Sequence, residues 1–262
     1  MRNNKRSNRK SIKVLLKLIV TLSALAAAGW LIFFGISNFL KTSSYFNIKR
    51  VIFIGLEDKE IADNIAQDYI SENIFDCNLI QISRDIKLHF PQFHDLRIVR
   101  NFPDSLTVYI IQRRPIAQLH SRNREYFLID NEGMIISRGS SSPYDKFIII
   151  EGIKGVSSLR FGQKIIVNDL KKALELTAVT LANQNKLANL LNNFTLTSIA
   201  IDVSKFPTIV MKIANFELRF AEESYNDKIN IFLKLLPTLK GKIEQVKYID
   251  LRFSEPAISF QE

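Results

Sequence analysis

The sequence has almost nothing from which a disulfide scaffold or a metalloenzyme could be built: one cysteine and three histidines in 262 residues. A lone cysteine excludes an internal disulfide. Its surroundings, Asn73-Ile-Phe-Asp-Cys-Asn-Leu79, hold no histidine and no CxxC partner, so Cys77 reads as a small core or near-core residue. His89, His94 and His120 form no HExxH or i, i+4 pair, and Pro91 lies between the first two, which removes the usual helical ligand set for a metal. No Walker-type loop and no GxGxxG turn occurs, and Gly139-Ser140 lacks the flanking glycine of a nucleophile elbow. Asp130 and Glu132 are the nearest thing to an acid/base pair, but both fall in a tight turn, where exposed carboxylates are ordinary. Neither catalysis nor a cofactor nor a metal is expected.

Negative charge is also missing from the start of the chain. The net charge of +10 suggests a nucleic-acid binder, yet seven cations (Arg2, Lys5, Arg6, Arg9, Lys10, Lys13, Lys17) stand within the first 17 residues, which contain no acid, and without them the remainder is near +3. Charge that dispersed sets solubility; it does not make a phosphate-binding surface.

Directly after those cations stands the long apolar run. Leu18 to Leu40 contains no charge, and twelve of its residues are Leu, Ile, Val or Phe. A helix of that length spans about 34 Å, enough for a bilayer core with modest tilt, and those side chains favour insertion by about 4 to 7 kcal/mol. Ala24-Leu25-Ala26 has the look of a signal-peptidase site, but Trp30 to Ile36 continue the run past it, which fits an uncleaved anchor. The cationic flank places residues 1–17 in the cytoplasm, 18–40 in the membrane and the rest on the far side.

Beyond the anchor the periodicities predict a small α+β unit: a strand over 46–54 ending at Gly55, a helix over 59–70 and a second helix over 84–90 capped by Ser83 and stopped by Pro91. Strands at 96–100 and 106–112 complete it, joined by the turn Asn101-Phe-Pro-Asp-Ser105. After Pro115 the texture turns to strands and loops, with a hairpin of 126–130 and 134–137 around Asp130-Asn-Glu-Gly133 and a short strand at 147–150. A helix capped by Asn168 then runs to about 191, with Leu170, Leu174, Ala178, Leu181, Leu187 and Leu190 on one face. Strands near 196–202, 207–213 and 216–220 follow, then a helix opened by a Ser224/Asp227 capping box and ended near Pro237. Two closing strands are expected at 245–253 and 257–260.

Four ordered motifs carry a resemblance. Phe102-Pro-Asp-Ser-Leu106, Gln112-Arg-Arg-Pro-Ile-Ala117, Leu128-Ile-Asp130 with Gly133, and Tyr248-Ile-Asp-Leu-Arg252 are similar to the FPxxL, ERxPxA, LIDxxG and YVDLR elements of the FtsQ/DivIB family of bacterial cell-division proteins. The departures are Gln112 for Glu, Leu119 for an aromatic and Phe260 for Trp.

The resemblance implies a single transmembrane helix, a POTRA domain (β-α-α-β-β) over 46–115 and the family's β domain over 116–262. It further implies a non-catalytic scaffold of the cell inner membrane, N-terminus cytoplasmic, C-terminus periplasmic, enriched at the division septum. There it would bind FtsB and FtsL homologues, with FtsK, FtsW and FtsI homologues as further candidates. The implied contacts are Tyr248, Asp250, Arg252, Phe253, Ser254 and Phe260 on a terminal edge strand open to β-augmentation. Alternation there puts Ile249, Leu251 and Phe253 inward and Tyr248, Asp250 and Arg252 outward. A second, POTRA surface would be formed by Ile48, Val51, Phe53, Val108 and Ile110, with membrane-proximal contacts near Tyr45 and Phe46. The competing class is a POTRA-type periplasmic chaperone or secretion component, against which a single POTRA with no following barrel argues. A membrane-tethered peptidoglycan enzyme ranks third.

Overall fold

A computed structural model of the chain describes residues 3–155, 158–191, 195–239 and 241–261, with side chains from Leu16 onward. Arg2 and the side chains of the basic residues up to Lys13 lie outside the described residues. The chain is of mixed α+β class. One apolar helix, α1 (Asn3–Thr42), contains the uncharged run, and Leu16–Thr42 is long and apolar enough to cross a membrane, with none of it buried against protein. Thr21 and Ser23 return their hydroxyls to Leu18 and Val20 carbonyls, so neither presents an unsatisfied donor along that stretch.

The chain divides into two compact units, Met1–Ile86 with Leu96–Ile110, which includes α1, and Lys87–Asp95 with Ile111–Glu262. In the first, β1 (Arg50–Ile54), α2 (Lys59–Gln67), α3 (Leu79–His89), β2 (Phe93–Asn101) and β3 (Ser105–Gln112) follow the expected β-α-α-β-β order. The sheet runs β1-β3-β2, with Arg50 to Ile54 parallel to Ser105 to Tyr109. Asp58 caps α2 by accepting the Ile61 amide. The second helix starts five residues before the predicted start, because Asn78 accepts the amides of Ile80 and Gln81. Ser83 is therefore inside the helix, where its hydroxyl reaches the Leu96 carbonyl. Cys77 is buried, as expected; burial and the Glu72 carboxylate push its thiol up to about 11, which keeps it inert.

The second body is an eight-stranded mixed sheet in the order β11-β10-β9-β8-β7-β6-β4-β5. Its strands are β4 (Ala117–His120), β5 (Tyr126–Ile129), β6 (Ile148–Glu151), β7 (Ile199–Asp202), β8 (Ile209–Ile213), β9 (Phe216–Phe220), β10 (Val246–Asp250) and β11 (Ala257–Phe260). The helices α4 (Asn168–Ala182), α5 (Gln184–Leu190) and α6 (Tyr225–Leu235) pack with one another, and Leu170, Leu176, Leu187, Ile229 and Phe232 join the sheet's inward residues in one core. The buried face of α4 uses Ala173, Leu176, Thr177 and Thr180, while Ala178 and Leu190 are exposed. Both threonine hydroxyls bond the carbonyl four residues back, which satisfies them inside the core.

Two further expected caps are absent, and one predicted helix is divided. Val167, not Asn168, precedes α4, and Asn168 donates to Glu222. The predicted single helix to 191 breaks at Asn183, whose amide bonds the Val179 carbonyl. Ser224 stands before α6 with φ 59°, and no side-chain cap bond forms.

Candidate partner-binding edge

The end of the sheet is built by a chain reversal. β10 pairs with β9 on one side and β11 on the other, so Tyr248 to Asp250 already has both sets of backbone partners. This corrects the expectation that 248–254 is the open strand. Ser254, Glu255 and Pro256 fold the last strand back onto β10, and the open edge passes to β11.

The strand itself ends at Asp250, three residues earlier than expected. The Asp250 carboxylate accepts the Arg252 amide at 3.1 Å, a turn that pulls the chain out of the ladder. Ile249 and Leu251 are fully buried, as alternation predicts, but Phe253, which alternation placed inward, lies beyond the strand and is 61% exposed. Lys228 on α6 donates to the Phe253 carbonyl and holds that turn. Phe260, opposite Val246, is 45% exposed at the rim.

The polar residues are committed to one another. Arg252 closes on Asp250 with Nε at 2.9 Å from Oδ1 and Nη2 at 2.6 Å from Oδ2. Those hydrogen bonds hold the Asp250 carboxyl below the usual aspartate range, against the opposing pull of burial. Asp250, expected to face outward as a contact, is instead buried, and Arg252 spends its charge within the chain, leaving its outer face and the ring of Phe253 beside it. Tyr248 is half-buried under the Arg219 guanidinium, which sits 3.7 Å from its ring centroid. Arg219 and Lys228 were missed from the sequence; the one available signal was the outward register of Arg219 in β9.

The second proposed surface divides in the same way. Ile48 is 1% exposed, and Val108 and Ile110 are also core, so these three cannot be contacts. Val51 and Phe53 are half-buried. The exposed apolar side chains of β1 and β3 are Ile52, Ile54, Tyr109 and Ile111, one position out of phase with the expected set.

At the opposite end of the large sheet, Asp130 is 2% exposed, which corrects the reading of it as a solvated turn residue. It accepts the Glu132 and Met134 amides and binds Arg113 Nη1 at 2.5 Å; Arg113 also reaches Glu132 and the Pro91 carbonyl. Glu132 is held below its usual range first by Arg113 and then by Lys164. Gly133 has φ +82°, and a Cβ there would lie 2.5 Å from the Ile165 carbonyl oxygen, so this position of the turn requires glycine. These carboxylates are structural. Among the described residues no cluster of His, Cys, Asp and Glu could hold a metal.

The profile of the family described as cell division protein FtsQ/DivIB, C-terminal, matches residues 117–252, from the first residue of β4 to Arg252. A cell division protein FtsQ of Syntrophotalea carbinolica is 25% identical over 216 residues, covering 80% of this chain and 72% of that protein. The FtsQ of Zymomonas mobilis is 33% identical over 139 residues, or 49% of this chain and 41% of its own length. That of Neisseria meningitidis serogroup B is 27% identical over 144 residues, 54% and 56% respectively. The chain thus aligns with only about half the length of these last two. With the profile covering more than half of the chain and the single apolar helix fitting a single-pass membrane protein, the chain belongs to the FtsQ/DivIB family of cell-division proteins.

Proposed function

We propose that this protein is a non-catalytic divisome scaffold whose ectodomain, on the outer face of the inner membrane, captures FtsB and FtsL homologues by adding a strand of the partner to β11. It would thereby link early and late division proteins, FtsK, FtsW and FtsI homologues among them, and help control septal peptidoglycan synthesis. In this reading residues 46–115 act as a POTRA domain and 116–262 as the family's β domain.

The observation that carries the reading is an asymmetry between the two ends of the large sheet. The outer side of β5 is occupied, because Ser140 exchanges both backbone hydrogen bonds with Tyr126 and Ile136 donates to Leu128. The outer side of β11 makes no backbone hydrogen bond among the described residues, and Phe253 and Phe260 stand exposed beside it. An uncovered edge flanked by aromatic anchors suits β-augmentation, in which main-chain bonds give affinity and side-chain anchors give specificity. The cations before Leu18 support the cytoplasmic placement of the N-terminus.

The test is titration of the detergent-solubilised chain with the periplasmic segment of the FtsB homologue, alongside a Phe253→Ala/Phe260→Ala variant. The variant is expected to melt normally and to bind at least about tenfold more weakly. Undiminished binding by a normally melting variant places the partner elsewhere. For topology, an alkaline phosphatase fusion at Glu262 is expected to be active; an inactive but well-expressed fusion reverses the orientation.

A further inference from the structure

The carboxyl end of α1 does not lead into a free linker. Asn73 donates its side-chain amide to the Leu40 carbonyl at 3.0 Å, Ile74 donates its backbone amide to Phe46, and Lys41 pairs with Asp76. The loop making these contacts is held from behind by Arg100, which donates to the Ile74 and Cys77 carbonyls at 2.8 and 2.6 Å, and by the Asn73 carboxamide oxygen, which accepts the Phe75 amide. A part-buried arginine, an asparagine and the inert Cys77 therefore preorganise one short loop.

What the loop displays is aromatic. From Phe39, on the last turns of the apolar helix, ring contacts run to Phe46 (6.3 Å between centroids), on to Phe75 (5.1 Å) and on to Phe102 (5.1 Å), with Tyr45 packed on Phe46 at 5.2 Å. Phe39, Tyr45 and Phe102 are each about three-fifths exposed, a large apolar and amphipathic surface for the loops of a water-soluble body.

We propose that Tyr45, Phe75 and Phe102 form a lipid-facing foot that seats this body in the headgroup layer of the leaflet at the carboxyl end of α1. The occupant follows from continuity. Phe39 belongs to the uncharged run, so the bilayer that surrounds Phe39 reaches its ring neighbours within one or two side-chain lengths, and the interfacial layer is several ångströms deep. Aromatic rings with a wet end or edge partition into that layer. A rigid, doubly anchored joint with such a foot sets the tilt of the body on the membrane, where a flexible linker would leave it free.

The experiment uses the full chain in phosphatidylcholine nanodiscs and rests only on α1 crossing the bilayer, not on any partner at β11. Trp30 is the only tryptophan, so a Trp30→Phe background carries single reporters: Phe102→Trp at the foot and, as a control on the same body, Ile80→Trp, an exposed side chain on α3. Lipid brominated close to the headgroup is expected to quench the residue-102 reporter at least about twofold more than the residue-80 reporter, as for an aromatic in the interfacial belt. Equal quenching of the two overturns the proposal, as does a residue-102 reporter that becomes shielded only when a partner protein is added. If Phe102→Trp impairs folding, Tyr45→Trp replaces it and must meet the same criterion.

Discussion

Near each end of the eight-stranded sheet a strand runs out on the same dipeptide, Ile129-Asp130 at β5, the last strand, and Ile249-Asp250 at β10, the last but one. In both an arginine closes on the aspartate, Arg113 from seventeen residues upstream and Arg252 from across a turn. The isoleucines are fully buried in each case. The two ends part company in the path of the chain beyond each aspartate. After Asp130 the chain returns through residues 134–140 and covers the outer side of β5, and the Arg113 side chain, held by Asp130, Glu132 and the Pro91 carbonyl, is 11% exposed. After Asp250 it folds one more strand onto the sheet and leaves that strand uncovered, with Arg252 at the rim. The same pair of side chains thus sits at a sealed end and beside an open one. An arginine–aspartate pair in this fold has no fixed meaning until the neighbouring backbone is known.

The largest expected effect belongs to the sealed end. Arg113→Ala leaves Asp130 buried without its counter-charge, and breaking such a pair costs about 3–5 kcal/mol. Chemical denaturation of the detergent-solubilised variant checks this; a loss under about 1 kcal/mol would mean that water replaces the guanidinium and that the two ends are not as different as their burial implies.

Next come the inward residues at the open end. Leu251→Ala and Ile249→Ala each remove a fully buried side chain and should cost about 2–5 kcal/mol, close to the value for any core position of the body. The same logic applies to Val108 in the other sheet, whose truncation should lower stability, as a core position would and a contact residue would not.

Phe253→Ala sharpens the comparison from the other side, since it should leave unfolding almost unchanged and weaken partner binding by about 1–3 kcal/mol, ten- to a hundredfold. Tyr248→Ala is expected to do less, because half of its ring is already buried beneath Arg219. Loss of stability without loss of binding in the Phe253 variant would remove the open end as the docking surface.

Much of this architecture was legible because periodicity and turn chemistry are local. The apolar run, the β-α-α-β-β order, Gly133 in its turn and the last strand at 257–260 all derive from residues within a few positions of one another. The errors have the opposite character. Val108 and Ile110 look like any exposed hairpin residues until the helices choose a face of their sheet, and a one-residue phase moves the whole set. Asp130 reads as solvated until Arg113, seventeen residues upstream, is known to lie on it. Phe253 reads as inward for as long as the strand is taken to continue, and only the Asp250–Arg252 turn ends it. Which strand is the edge is a property of the whole sheet order, and no local pattern contains it.

The smallest effect is the most specific. The Asp250 carboxyl sits below its ordinary value chiefly because of Arg252, so the folded chain holds fewer protons there than the unfolded chain as pH falls. The stability that this supplies is complete above the unfolded aspartate value of ~3.9 and is lost as pH falls through the lower folded value. Arg252 stands at the rim, so the whole contribution should be under about 1 kcal/mol at neutral pH. Arg252→Gln is therefore expected to lower stability slightly at pH 7, by progressively less as pH falls below the unfolded aspartate value, and less at high salt, with denaturation midpoints across the acid range as the measurement. Glu132 titrates in the same direction at the sealed end, so the comparison requires Asp250→Asn beside it: the two single changes and the double should cost nearly the same if the pair acts as a unit. Additive losses would show that Arg252 does its work through Thr208 or the ring of Phe253, and that the turn at the open end is held by something other than the pair it shares with the sealed one.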